Sequence, residues 1–211
     1  MSEGKHGIQV FDDTGMPILE IGPHIIREAP QFAQKIGVIA ATWAQAEVNL
    51  NCLFAILLDT TPDEAEKHLK KCGTAVRATK GARKIAADTL TGAELTSVQK
   101  TLDELDLVRA RRNRVQHDVW AKKGSDNQTI YAVHSDQYLA FTTQLLAVAE
   151  LEKAEGENSD RAIILAREFS TSISHGYTIK DLENIDLEID RLSKSLLSVM
   201  FSRITLRPKG E

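Results

Sequence analysis

The stretch from Val108 to Trp120 constrains the fold of this chain more than any other. It reads Val-Arg-Ala-Arg-Arg-Asn-Arg-Val-Gln-His-Asp-Val-Trp. Upstream, Leu95, Val98, Leu102 and Leu105 recur every three or four residues, the signature of one buried helix face. The same spacing carried forward reaches Arg109, Arg112 and Gln116, and returns to apolar character near Val119 and Trp120. A helix that turns charged on the face it should bury needs partners there, because an unpaired buried guanidinium is costly. Such a break marks a candidate functional site.

The rest of the pattern is mostly helical. A long first helix is expected from about Pro30 to Leu58, with Ile36, Ala40, Trp43, Glu47, Leu50, Phe54 and Leu57 as a seam that contains one carboxylate. Thr60-Thr61-Pro62-Asp63-Glu64 reads as a helix start, with a hydroxyl cap, a proline in the first turn and acids near the positive end of the dipole. That short helix runs to about Lys71, and Gly73 ends it. A basic helix follows over about 75–89. Thr91 with Glu94 forms a capping box for the arginine-bearing helix, expected over 92–118. A further helix covers about 136–154, a loop 155–159, and 161–175 is ambiguous between helix and strand. Thr178 with Asp181 opens a last helix through about Arg203, with Leu182, Ile185, Ile189, Leu192, Leu196 and Val199 as its seam. Residues 7–21 read as a β-hairpin around Asp12-Asp13-Thr14-Gly15, and Ala121 to Val133 as a second, smaller one. The expected fold is all-α, a helical bundle with a long first helix and two small β appendages. The hairpin arm takes 1–25, the helical domain 26–205 and a tail 206–211.

Composition narrows the class. The chain has 211 residues, 42% hydrophobic and 27% charged, enough for one core. Its net charge of −4 argues against a general basic coat for nucleic acid. Charge is uneven, however. Lys67 to Lys84 holds seven Lys or Arg and no acid, and Arg109 to Lys123 holds six against the single acid Asp118. Local basic patches suit an anionic ligand such as RNA, although solvated helix faces produce the same pattern. Cys52 and Cys72 are too few for a disulfide framework and lack metal spacing. Cys52 lies in an apolar run and is expected as a buried thiol. His6, His24, His68, His134 and His175 show no metal-like spacing and carry no assigned role, so neither metal nor cofactor is expected. The amino terminus is polar, and no segment approaches the roughly 20 apolar residues of a membrane span. The expected location is therefore cytoplasmic.

Successive helical residues turn by about 100°, so Arg109, Asn113 and Gln116 share a face and Asn113 lies one turn from His117. Arg112 and His117 are five residues apart, about 140° round, and meet only if the long arginine side chain curls. Two such helices facing each other across a two-fold axis would gather two arginines and two histidines in one cleft. These groups suit cleavage of RNA without a metal. Imidazole can take the 2′-hydroxyl proton or protonate the leaving 5′-oxygen. Guanidinium offers a bidentate fork to phosphate oxygens and stabilises developing charge.

Arg112-Asn113-Arg114-Val115-Gln116-His117 resembles the motif of the HEPN superfamily, in which an arginine and a histidine are separated by four to six residues. The polar residue directly after the arginine and the place near the end of a late helix also match. So do the long first helix with Trp43 and Glu47, the short basic helices and the closing helix. The resemblance covers roughly residues 30–205, and only the six-residue motif is sharp. It implies a HEPN-like up-and-down bundle, a homodimer whose motifs meet across the two-fold, and a metal-independent endoribonuclease acting as a toxin or phage-defence effector. It further implies an RNA substrate and an antitoxin or defence partner protein. On this resemblance Arg112 and His117 are catalytic and Asn113 supports them, with Arg109, Arg114 and Gln116 as substrate contacts. One branch of the superfamily, paired with a nucleotidyltransferase antitoxin, carries a tyrosine two residues after the histidine. Here that position is Val119, so control by modifying such a tyrosine is not expected.

Plainer readings compete. Glu47 and Arg109 can form a buried ion pair that fixes helix register. His117 can simply complement a helix C-terminus, and Trp120 is better read as packing than as a base-stacking platform. Three functions stay open from sequence: a ribonuclease, a HEPN-like module that binds RNA or a nucleotide without cutting, and a structural dimer with ion-paired arginines.

Overall fold

A computed structural model describes residues 7–71, 73, 75–155 and 160–206. His6, Cys72, positions 156–159 of the expected loop and positions 207–211 of the expected tail lie outside the described residues. The elements run β1 (Ile8–Phe11), β2 (Pro17–Ile21), α1 (His24–Arg27), α2 (Pro30–Leu57), α3 (Pro62–Lys70), α4 (Ala75–Thr89), α5 (Gly92–His117), β3 (Val119–Lys123), β4 (Ile130–Val133), α6 (Ser135–Glu155), α7 (Arg161–Ser172), β5 (Gly176–Tyr177) and α8 (Ile179–Leu206). The described chain is mostly helical with one small antiparallel sheet. None of its described helices is long and apolar enough to cross a membrane. Two compact units divide it, Met1–Ile36 with Asn113–Glu183 and Gly37–Arg112 with Asn184–Glu211.

In the first unit the strands line up in chain order, β1 to β5, as one antiparallel sheet. The first turn forms because the Asp12 carboxylate accepts from the Thr14 amide, the Thr14 hydroxyl and the Met16 amide at 3.0, 2.6 and 2.9 Å. Gly15, at φ 81°, supplies the left-handed residue that closes it. The two hairpins expected as separate appendages are in fact joined. β2 pairs with β3, Leu19 opposite Lys123 and Ile21 opposite Ala121. The cause is burial: Leu19 and Ile21 enter one core with Ala121, Val133, Phe141, Ala166 and Ile173, whereas an isolated hairpin is marginal in water. Phe141 on α6 stacks on Phe169 of α7, centroids 4.2 Å apart. The ambiguous 161–175 stretch resolves as helix to Ser172 and then turns into β5. Trp120 is buried and meets Tyr177 edge to face at 6.0 Å.

The second unit is helical. Thr61 caps α3 by accepting from the Glu64 amide at 3.3 Å, with proline at the start of the helix. On α2 the buried line runs Ile39, Trp43, Ala46, Asn49 and Leu53, one position back from the expected seam. Glu47 is consequently exposed. A single residue of drift turns a helical side chain by about 100°, which carries Glu47 off the buried face. On α8, Ile185, Ile189, Leu192, Leu196 and Val199 are buried as their spacing predicts. Several buried polar groups in this interior are paired. Asn49 donates to Ser193 Oγ at 2.7 Å and accepts from Gln45 at 2.9 Å, and Thr101 shares a hydrogen bond with Ser195 at 3.0 Å. Glu94, expected to close a capping box with Thr91, instead accepts two bonds from Arg203 at 2.9 and 2.6 Å. Cys52 is a free thiol and only half-buried.

Candidate active site

The apolar line of α5 does not break where the simple spacing placed the break. Val98, Leu102, Leu105, Val108 and Val115 are all buried, so a three-residue step from Leu105 to Val108 carries the stripe past Arg109. Arg112, four residues beyond Val108 and three before Val115, is the charged residue within the line, and it is half-buried.

In the second unit, Arg109 and Arg112 both stand over Trp43, each guanidinium carbon 5.6 Å from the ring. Trp43 is itself only 3% exposed. The negative face of an indole attracts cations, so the buried tryptophan seats both. Arg109 retains only 13% side-chain exposure and pairs with Asp106 one turn back. It also donates to Thr79 Oγ1 at 3.0 Å. Asp106 accepts in addition from Arg83 Nη2 at 2.7 Å, and Arg83 Nε donates to Asp103 at 2.9 Å. Burial works against the charge of Arg83, but the hydrogen bonds from Asp106 and Asp103 outweigh it and raise the group above its ordinary value. These contacts correct one expectation. The partner of Arg109 is Asp106 rather than the exposed Glu47, because Asp106 lies three residues away on the same helix face. The Arg109 guanidinium, expected at a substrate, has Asp106, Thr79 and Trp43 as its partners here. Arg111 points elsewhere and pairs with Glu188.

The motif residues of the first unit fare differently. Gln116 is half-buried and donates from Nε2 to the Ile36 carbonyl at 3.1 Å. Asn113 and His117 are exposed, and His117 is the last residue of α5. Arg114 is half-buried and lines a cavity with Asp118, His134, Gln137 and His175. Sequence reasoning assigned neither histidine a role. They are 41 positions apart, and strand pairing of β4 with β5 draws their segments together, Tyr131 opposite Gly176. That register was the missing signal, since a two-residue strand leaves no periodicity to read.

The basic run from Lys67 to Lys84 is partly neutralised by acids just outside it or beyond it in sequence. Lys67 pairs with Glu64 at 2.8 Å and Lys70 with Glu66 at 2.9 Å, and Arg83 is taken by Asp103 and Asp106. Exposed pairs of this kind add little stability, but they lower the positive potential a nucleic acid would meet. Comparison with protein-family models, with curated proteins and with solved structures finds no match to this chain.

Proposed function

We propose that this chain is a metal-independent endoribonuclease of HEPN type, with Arg112 and His117 as its catalytic pair and Asn113 in support. The observation that carries the reading is the exposure of His117 at the end of the helix that also bears Arg112. A buried imidazole would have favoured a scaffolding role. In the proposed reaction one imidazole removes the 2′-hydroxyl proton and the 2′-oxygen attacks phosphorus. The 5′-oxygen leaves with a proton from a second imidazole, giving a 2′,3′-cyclic phosphate and a 5′-hydroxyl. Guanidinium groups stabilise the charge that builds on the phosphoryl oxygens. Two imidazoles are needed, which is why the active species is proposed as a homodimer with the motifs meeting at the two-fold axis. The HEPN-like fold, a cytoplasmic site of action, a toxin or phage-defence role and an antitoxin or defence partner belong to the same proposal.

A second reading is RNA binding without cleavage, favoured by the seat of Arg112 against Trp43, which ties its guanidinium to packing as well as to any ligand. Incubating the purified chain with RNA in chelator separates the two. Cleavage that His117→Ala abolishes supports the enzyme. Salt-dependent binding that survives His117→Ala but not Arg112→Ala, with no cleavage, selects the binding module.

A further inference from the structure

We infer that the cavity lined by Arg114, His134 and His175 is a binding site for a phosphate group, additional to the motif pair and not dependent on cleavage. The cavity measures about 310 Å³, and Asp118 and Gln137 complete its lining. At about 30 Å³ per liquid water, it holds a phosphate together with part of an attached sugar.

Three separate segments deliver Arg114, His134 and His175. Arg114 comes from the last turn of α5, is half-buried and lines the cavity. His134 sits between β4 and α6 and is exposed. Its Nδ1 accepts from the Asp136 backbone amide at 3.4 Å. Gln137 lies in the first turn of α6, a helix of 21 residues whose amides give that end a partial positive charge. His175 is held from behind, its carbonyl accepting from the Ala132 amide at 2.9 Å just before β5 begins. Gly176 makes this approach possible, since a Cβ there would meet Thr129 Cγ2 and Tyr131 Cε1 at 2.9 Å.

The site therefore combines a guanidinium, two imidazoles, a side-chain amide and a helix N-terminus. This set suits a dianion or a phosphodiester. Two carboxylates oppose it. Asp118 is on the wall, and Asp136, largely exposed, lies 3.6 Å from His134 Nδ1. Among the described residues no three His, Cys, Asp or Glu side chains gather so that they could hold a metal ion.

The test follows the imidazole nitrogen and carbon-bound proton signals of the full chain by NMR. Three probes are titrated: inorganic phosphate, uridine monophosphate, and a single-stranded RNA trimer without terminal phosphates. The expected result is saturable movement of the His134 and His175 ring signals, with the exposed His68 of α3 unmoved. Arg114→Met is expected to weaken the response at least tenfold. His175→Gln serves as a second variant should Arg114→Met unfold. Tighter binding of the trimer identifies an internal phosphodiester as the ligand, and response to the first two probes alone identifies a terminal phosphate. Ring signals unmoved by all three probes, or a folded Arg114→Met that responds as the parent does, overturn the inference. Absence of RNA cleavage leaves these shifts in place, so failure of the ribonuclease reading is distinguishable.

Discussion

Replacing Arg109 by methionine separates scaffolding from substrate binding. The substitution keeps the aliphatic stem and removes three interactions at once. These are the cation–π contact with Trp43 at 5.6 Å, the bond to Thr79 at 3.0 Å and the pair with Asp106. A desolvated cation–π contact contributes about 1–2 kcal/mol, and a hydrogen bond from a charged donor about 1.5–3 kcal/mol. Asp106 keeps Arg83 as a partner, so the carboxylate is not stranded and its loss adds little. With Arg109 13% exposed and Asp106 24% exposed, solvent screening trims the total, and the expected cost is about 2–4 kcal/mol. For a chain of this size that corresponds to a fall in Tm of roughly 4–16 °C. Arg111→Met is the control. Its pair with Glu188 is 45% and 30% exposed, and its removal is expected to cost less than about 1 kcal/mol. Thermal and urea unfolding of the two variants, with RNA affinity measured in parallel, gives the answer. An Arg109→Met chain destabilised by less than about 0.5 kcal/mol but binding RNA tenfold more weakly would refute the argument, because it would show the guanidinium free to contact substrate.

Other substitutions probe the parts that hold the site. Gly176→Ala drives a methyl against Thr129 and Tyr131 at 2.9 Å; it is expected to loosen β5 from β4, seen as faster amide exchange at Ala132 and Tyr177. Asn49→Ala leaves the Ser193 hydroxyl buried without its 2.7 Å donor and is expected to cost about 1–3 kcal/mol, measured by urea unfolding. The double variant with Ser193→Ala is expected to cost less than the sum of the two single changes. The carboxyl of Asp181 is held below the usual aspartate value, first by the Thr178 hydroxyl and then by the Thr178 amide. A depressed carboxyl contributes stability above its unfolded pKa and loses it as pH falls through the folded one. Asp181→Asn is therefore expected to lower Tm at pH 7 and to have little effect at pH 2, with the difference closing below about pH 4.

The helices were legible because their seams repeat over many turns. α2, α4 and α8 sit close to their expected bounds, and the α8 seam from Ile185 to Val199 is buried throughout. Periodicity was less reliable about phase. Taking Glu47 rather than Ala46 as the seam residue rotated one charge onto the wrong face, and taking Arg109 rather than Val108 did the same on α5. Both are one-residue slips, each worth about 100°. The sheet was legible as hairpins but not as one sheet, because pairing of β2 with β3 joins residues about a hundred positions apart through burial alone. The arginine cluster was visible in sequence, whereas its sorting was not. Partner choice depends on which acid, Asp106 or Glu188, the packing of unrelated segments brings near. The same limit hid the histidines beside Arg114, whose convergence rests on a two-residue strand.

The rate of 2′,3′-cyclic phosphate formation on single-stranded RNA, measured in excess chelator for the parent chain and His117→Ala side by side, tests the ribonuclease reading most directly. The account predicts cyclic phosphate ends from the parent and a loss of roughly 10²–10⁴-fold in the variant, the usual worth of a general acid or base. The variant is also predicted to unfold at the same temperature as the parent, since His117 is exposed. Equal rates from the two proteins, or no cyclic phosphate from either, would contradict it.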